Sequence, residues 1–261
     1  MRFPLSLRHL PRRFMLAATG ALLALGLLLP ATALAAPDAA LTCDLACVQA
    51  FGNQQIANRI TDLGTLSSKA TAALTAGHIT SSQNSFLQTD VTNNTNGLNQ
   101  LKSNLDSAPD EATARNDVKL IYVQFRIYAV VLPRDYRLLH IDVELWVDSK
   151  FRALQPTIEQ MIEQAPANEK PELNALYSDY KAQLGEAEAQ MDAAQGQYGV
   201  LTPRNFDNDP TAYKNAYDAY VSDEQTAHND LHKAGADLHQ MVQIVKSNSS
   251  SSATPTATSG V

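Results

Sequence analysis

The 261-residue chain has only two cysteines and one tryptophan, and it is short of base, with 20 Lys+Arg against 27 Asp+Glu and a formal charge of −7. Without a basic surplus it lacks the clustered Lys/Arg that release counterions from a phosphate backbone, which argues against nucleic acid as a partner and against an anionic membrane surface. Cys43 and Cys47 make no disulfide framework, and no second cysteine pair exists to complete a tetrahedral thiolate site. Neither a nucleophile with its base nor a metal-water site can be assembled from spacing, so the expectation is a non-enzyme with no catalytic residues and no cofactor. Apolar residues at 44% and charged ones at 18% are enough for a core and exclude disorder throughout.

The first 35 residues carry Arg2, Arg8, Arg12 and Arg13 and no acid. They are followed by an uncharged apolar run, Phe14 to Leu29, then Pro30 and the small residues ATALAA. A basic head, a short apolar middle and an A-x-A site predict a secretory signal peptide over residues 1–35, cleaved after Ala35, and a secreted, extracellular protein. Sixteen apolar residues fall short of the roughly 20 a spanning helix needs, so no stable membrane insertion is expected after cleavage. Arg12-Arg13 partly fits a twin-arginine signal, but Pro11 stands where Ser or Thr is preferred, which favours general secretion. Removing the signal leaves 16 basic against 27 acidic residues, a net charge of −11.

Apolar residues then recur at helical spacing. Ile56, Ile60, Leu63, Leu66, Ala70 and Leu74 end at Gly77, a residue suited to the position just past a helix. Thr80 with Gln83 predicts a capping box for a second helix, carried by Leu87, Val91, Leu98, Leu101 and Leu105. Asp110 and Glu111 mark a third start. That helix is expected to reach a kink near Pro133, because proline lacks an amide hydrogen and clashes with the preceding turn, and to resume through Phe151 toward Ala165. Residues 36–165 are thus expected to form a bundle of three to four helices.

Leu173, Tyr177, Tyr180, Leu184, Ala187, Met191, Ala194 and Tyr198 alternate steps of four and three, a coiled-coil seam. The seam repeats from Tyr213 to Val245, broken at Glu224, after an Asp209-Pro210 start. Two such helices on a short loop predict an antiparallel coiled-coil hairpin over residues 166–246, packed on the first bundle. Residues 247–261, uncharged and rich in Ser and Thr, read as a disordered tail. The fold class is all-α: an elongated helical bundle with a C-terminal antiparallel hairpin.

Cys43 and Cys47, four residues apart, lie within disulfide reach on a helical turn; a local bridge, an intermolecular one and half of a metal site are the readings open to them. His228, His232 and His239 fall within a 40° arc of one helix face and form the candidate metal site, with Glu224 one turn before. HNDLH is not HExxH, which removes a metalloprotease. Glu224 inside the seam is expected to pair with Lys181 and fix the register. Six tyrosines of the hairpin (Tyr177, Tyr180, Tyr198, Tyr213, Tyr217 and Tyr220) read as core with their hydroxyls at the rim, or as a groove for a sugar or aromatic. Asp106, Asp110 and Glu111 lack calcium-loop spacing and read as acids at a helix start.

The segment VKLIYVQFRIYAVVLPRDYR, Val118 to Arg137, reads as a central helix buried nearly all round, so Arg126 would need a carboxylate partner, either a structural ion pair or a ligand in a cavity. FRIY (Phe125 to Tyr128) followed by VVLP (Val130 to Pro133), with LNQLKSNLDSA (Leu98 to Ala108) upstream, resembles a group of uncharacterised secreted bacterial helical proteins. The likeness covers about residues 50–165 and more loosely the hairpin. It implies export and an all-helical fold, and no activity. The expected function is therefore a secreted, non-enzymatic structural or interaction module of the bacterial envelope, its partner an unknown protein or envelope component. The alternative is a ligand or metal carrier using the Arg126 cavity or the histidine face.

Overall fold

Helix α1, Leu45–Thr75, begins where Asp44 accepts a hydrogen bond from the Cys47 amide at 3.0 Å. It starts a full three turns ahead of the stripe that opens at Ile56, because Val48 and Gly52 are buried and extend the same face. The computed structural model describes residues 44–251, with side chains described to 247. The expected signal peptide, Cys43 and residues 252–261 lie outside the described residues.

Gly77 adopts φ 71° and turns the chain, with its amide bonded to Leu74 O and the His78 amide to Ala73 O. Helix α2, Ser81–Asp106, opens with the expected capping box: Thr80 Oγ1 accepts from the Gln83 amide, and Gln83 Oε1 accepts from the Thr80 amide at 2.8 Å. It runs back along α1, as the contacts of Gln49 with Leu105 and of Ser67 with Gln88 show. Helix α3, Glu111–Val123, is capped by Asp110 and returns beside α1.

Gly52 sits where the three helices meet: a Cβ there would lie 2.5 Å from Leu105 Cδ2 and 2.8 Å from Val118 Cγ2. Exposed Gly64, on the same helix, has nothing within 4 Å of that position. Gly52→Val is therefore expected to cost about 1–3 kcal/mol by overpacking, while Gly64→Ala adds about 0.5–1 kcal/mol from helix propensity and a less flexible unfolded chain. Urea midpoints of the two variants moving in the same direction would contradict this assignment.

The expected continuous helix through Pro133 is not what forms. It stops at Val123, ten residues early; Arg126 takes a left-handed conformation at φ 43°, ψ 40°, and a single π-helical turn, Ile127–Val131, follows. Pro133 then stands in the first turn of α4, Leu132–Gln164, a position at which proline is tolerated. The wide turn before it shifts the carbonyl that its ring would strike in a regular helix. Pro156 lies inside α4 without ending it.

Helix α5, Lys170–Gln197, runs antiparallel to α4: Tyr177 OH donates to Glu159, Tyr180 OH to Phe151 O, and Gln195 Nε2 to Asp142. The loop that follows contains a 3-10 turn, Tyr198–Val200, and a short helix α6, Pro203–Asn208. Asp209 caps α7, Pro210–Ser251, with its side chain accepting from the Ala212 amide. Helices α5 and α7 form the antiparallel hairpin, and Leu173, Leu184, Met191, Leu231, Ala234 and Met241 of its seam are fully buried. Helix α7 continues to Ser251, five residues into the stretch read as a disordered tail, because the helical ladder propagates past the last buried seam residue. The described residues thus form an all-α bundle in which α4 packs on α1 and α2 through its first half and on α5 and α7 along its length.

Candidate metal centre

Helices α4 and α7 lie parallel, as Tyr220 OH to Arg134 O, Glu224 to Arg137, Glu144 to His228 and Gly235 against Phe151 mark in order along both. Each brings one histidine and one carboxylate a helical turn apart to the shared face: His140 and Glu144 on α4, Glu224 and His228 on α7. His228 Nδ1 is 2.7 Å from Glu144 Oε1, and His140 Nε2 is 3.7 Å from the same oxygen. One ligand atom from each of His140, Glu144 and His228 lies within 4.8 Å of the others, a spacing that can close around a divalent ion.

His140 Nδ1 lies 2.5 Å from Glu224 Oε1. A carboxylate only accepts, so Nδ1 carries the proton and Nε2 is left for a metal, the arrangement in which an outer carboxylate sets the imidazole tautomer. Arg137 pairs with the other Glu224 oxygen. Burial by itself would raise the Glu224 pKa, but the His140 hydrogen bond and the Arg137 charge outweigh it and hold the carboxyl below its usual value.

Glu144 has no such support. Its side chain is 1% exposed, and its Oε2 is buried without a hydrogen-bond partner. Burial pushes its pKa up to about 7, partly offset by His140 and added to by the Glu224 charge. Burial also lowers the His228 pKa, reinforced by His232 and His140, which favours the neutral imidazole a metal requires. For His140, burial acts downward and is overcome by the Glu224 hydrogen bond and the Glu144 and Glu224 charges, leaving it raised.

Of the three histidines read from the sequence, His228 is in this cluster, and His232 is next to it with ring centroids 4.6 Å apart. His239 is exposed and contacts Gln243 at 3.3 Å. Eleven residues at about 1.5 Å each separate it axially from His228 by roughly 16 Å, so sharing a helix face does not bring the two together. His140 and Glu144 escaped sequence reasoning although HIDVE has the one-turn spacing, because their partner stands on another helix.

Lys181 does not pair with Glu224: its ammonium lies 4.4 Å over the Tyr177 ring, while Arg137 and His140 hold the glutamate from α4. Arg126 is not deeply buried. Its side chain is 22% exposed, donates from Nε to Asp207 Oδ1 at 2.8 Å and stacks 4.4 Å from Phe206, so it ties the π-turn to α6. Tyr177, Tyr180, Tyr198 and Tyr220 spend their hydroxyls on helix-to-helix hydrogen bonds. Asp106 pairs with Lys102, Asp110 caps α3 and Glu111 pairs with Arg115. Cys47 stands in the first turn of α1, and its predicted partner is outside the described residues.

Fold and site together define an all-α bundle with a histidine–carboxylate cluster between two parallel helices. No protein-family model, curated protein or solved structure matches the chain. Among the described residues no helix is long and apolar enough to cross a membrane.

Proposed function

We propose that the protein is an exported, non-enzymatic helical bundle that carries one divalent transition-metal ion between α4 and α7. The observation that supports this best is the Glu144 carboxylate, almost wholly buried, lying between two imidazoles with one oxygen unpartnered. A buried, unsatisfied carboxylate oxygen costs stability unless something binds it, and a cation that displaces the proton between His228 Nδ1 and Glu144, and is held also by His140 Nε2, satisfies it. Two nitrogens and one oxygen suit Zn²⁺, Cu²⁺ or Ni²⁺ better than Ca²⁺ or Mg²⁺. A carrier fits better than a hydrolase, since Glu224, the other carboxylate at the site, is engaged by Arg137 and His140 and is not free to act as base toward a metal-bound water.

Export rests on the basic, apolar and small-residue succession of the first 35 residues. In the oxidising compartment it leads to, Cys43 and Cys47 form a local bridge across the start of α1. The envelope is the setting of this reading, and the α5–α7 hairpin its interaction surface.

Isothermal titration of the metal-stripped protein with Zn²⁺, Cu²⁺ and Ni²⁺ tests the carrier. One ion per chain is expected, with binding weakened at least tenfold by Glu144→Gln and by His140→Ala, and left within threefold by His239→Ala. No saturable binding by any of the three ions, or binding indifferent to Glu144→Gln and His140→Ala, overturns it.

A further inference from the structure

A second polar feature lies on the other side of α4. Asp142 stands about 200° round the helix from His140 and faces α2 and α5. It is 3% exposed, and its Oδ1 accepts from Gln83 Nε2 at 2.8 Å and Gln195 Nε2 at 3.3 Å. No cation reaches it among the described residues, and its Oδ2 receives no hydrogen bond there. A carboxylate this buried ordinarily has a positive partner.

Asp142 lines a surface cleft of about 270 Å³ with Gln83, Phe86, Leu138, Gln195 and Tyr198. Phe86 is 52% exposed, a large apolar ring left in solvent, and it meets Tyr198 edge-on at 5.2 Å. The one guanidinium nearby on α4, Arg134, is already shared by Asp90 and Asp135, so it leaves the Asp142 carboxylate without a counter-charge. An anionic floor under an exposed aromatic wall is complementary to a cation with an apolar body.

We infer that this cleft is a recognition site for a small organic ammonium, its NH₃⁺ on Asp142 Oδ2 and its apolar or aromatic part against Phe86 and Tyr198. The amides of Gln83 and Gln195 hold the carboxylate in place and leave one oxygen for the ligand. The volume admits a ligand of roughly ten heavy atoms or fewer, smaller than the 300–1,000 Å³ pockets that take drug-sized molecules. The site is separate from the metal centre and does not depend on it.

The test is an NMR titration of the ¹⁵N-labelled protein, with chelator present, using benzylammonium chloride as probe and benzyl alcohol as its neutral counterpart. Saturable shifts are expected at Gln83, Phe86, Gln195 and Tyr198 with benzylammonium and none with benzyl alcohol. Asp142→Asn should weaken binding at least tenfold and Phe86→Ala about threefold or more; Phe86 is half exposed, so that variant keeps the fold if the first does not. The inference fails if benzylammonium produces no saturable shift at these residues, if benzyl alcohol matches it, or if both variants bind as the parent does. Shifts centred on His140 and Glu144 instead would also overturn it, by placing the ammonium in the metal centre.

Discussion

Arg134→Met is expected to cost about 3–5 kcal/mol, the largest loss from any single polar substitution in the bundle. The Arg134 side chain is 6% exposed and spends its donors on three elements. Nε meets Asp135 Oδ1 at 2.8 Å, one terminal nitrogen meets Asp90 Oδ2 of α2 at 2.7 Å, and the other reaches Leu201 O after α5 at 3.2 Å. The guanidinium also lies 4.3 Å over Tyr198, whose hydroxyl donates to Asp135. Methionine fills much of the volume but leaves Asp135, fully buried and with Oδ2 already unpartnered, as an uncompensated charge. The double variant Arg134→Met, Asp135→Leu should regain much of the loss, because removing both charges removes the desolvation cost as well. Urea unfolding followed by circular dichroism reads both. A loss under about 1 kcal/mol in the single variant would show that the guanidinium does not tie α4 to Asp90 of α2 and to the segment after α5.

Asp142→Asn is expected to stabilise the metal-free protein at neutral pH by up to about 3 kcal/mol, and to do nothing of the kind at pH 4. Burial pushes the Asp142 pKa up to about 6, against the opposing pull of the Gln83 and Gln195 hydrogen bonds, from an ordinary value of 3.8. A carboxyl whose pKa is raised by folding binds its proton more tightly in the native state, so its folded-state cost is absent below about pH 4. The cost grows as pH rises and is complete above about pH 6. About two pKa units at 1.36 kcal/mol each set the upper size of the step. Asparagine keeps an oxygen for the two glutamine donors and carries no charge at any pH. The measurement is the difference in unfolding free energy between parent and variant from pH 4 to 8, with chelator present. A difference that stays constant over that range would mean Asp142 is not held in the environment described.

Several parts of this architecture are legible in local residue order. The Thr80–Gln83 box, the Asp110 cap, the left-handed Gly77 and the Asp209-Pro210 start each act within four residues and appear as read. The α5 seam is likewise the buried set, residue for residue from Leu173 to Ala194, since a 4–3 repeat admits one helical face. The break at residues 124–126 is different. Val118 to Val131 has a helical stripe, yet the path of the chain is decided by Asp207 and Phe206, about eighty residues away, which hold Arg126 in a left-handed conformation costing of the order of 1–2 kcal/mol. A proline signal pointed to position 133, and a tertiary contact moved the break about two to three turns earlier.

The candidate metal centre divides in the same way. Glu224 stands out within the sequence because it interrupts an apolar seam, and His228 because histidines repeat along its helix. What joins them is the parallel registration of α4 and α7, which puts His140 and Glu144 opposite and leaves His239 about three turns from the first histidine of its arc. Periodicity by itself determined the helices, their caps and the hairpin, because helical hydrogen bonds and the amphipathic stripe are short-range properties of the chain. Which faces meet, and therefore which charges are buried together, depends on contacts between residues from 44 to 87 positions apart, and only the packed bundle decided that.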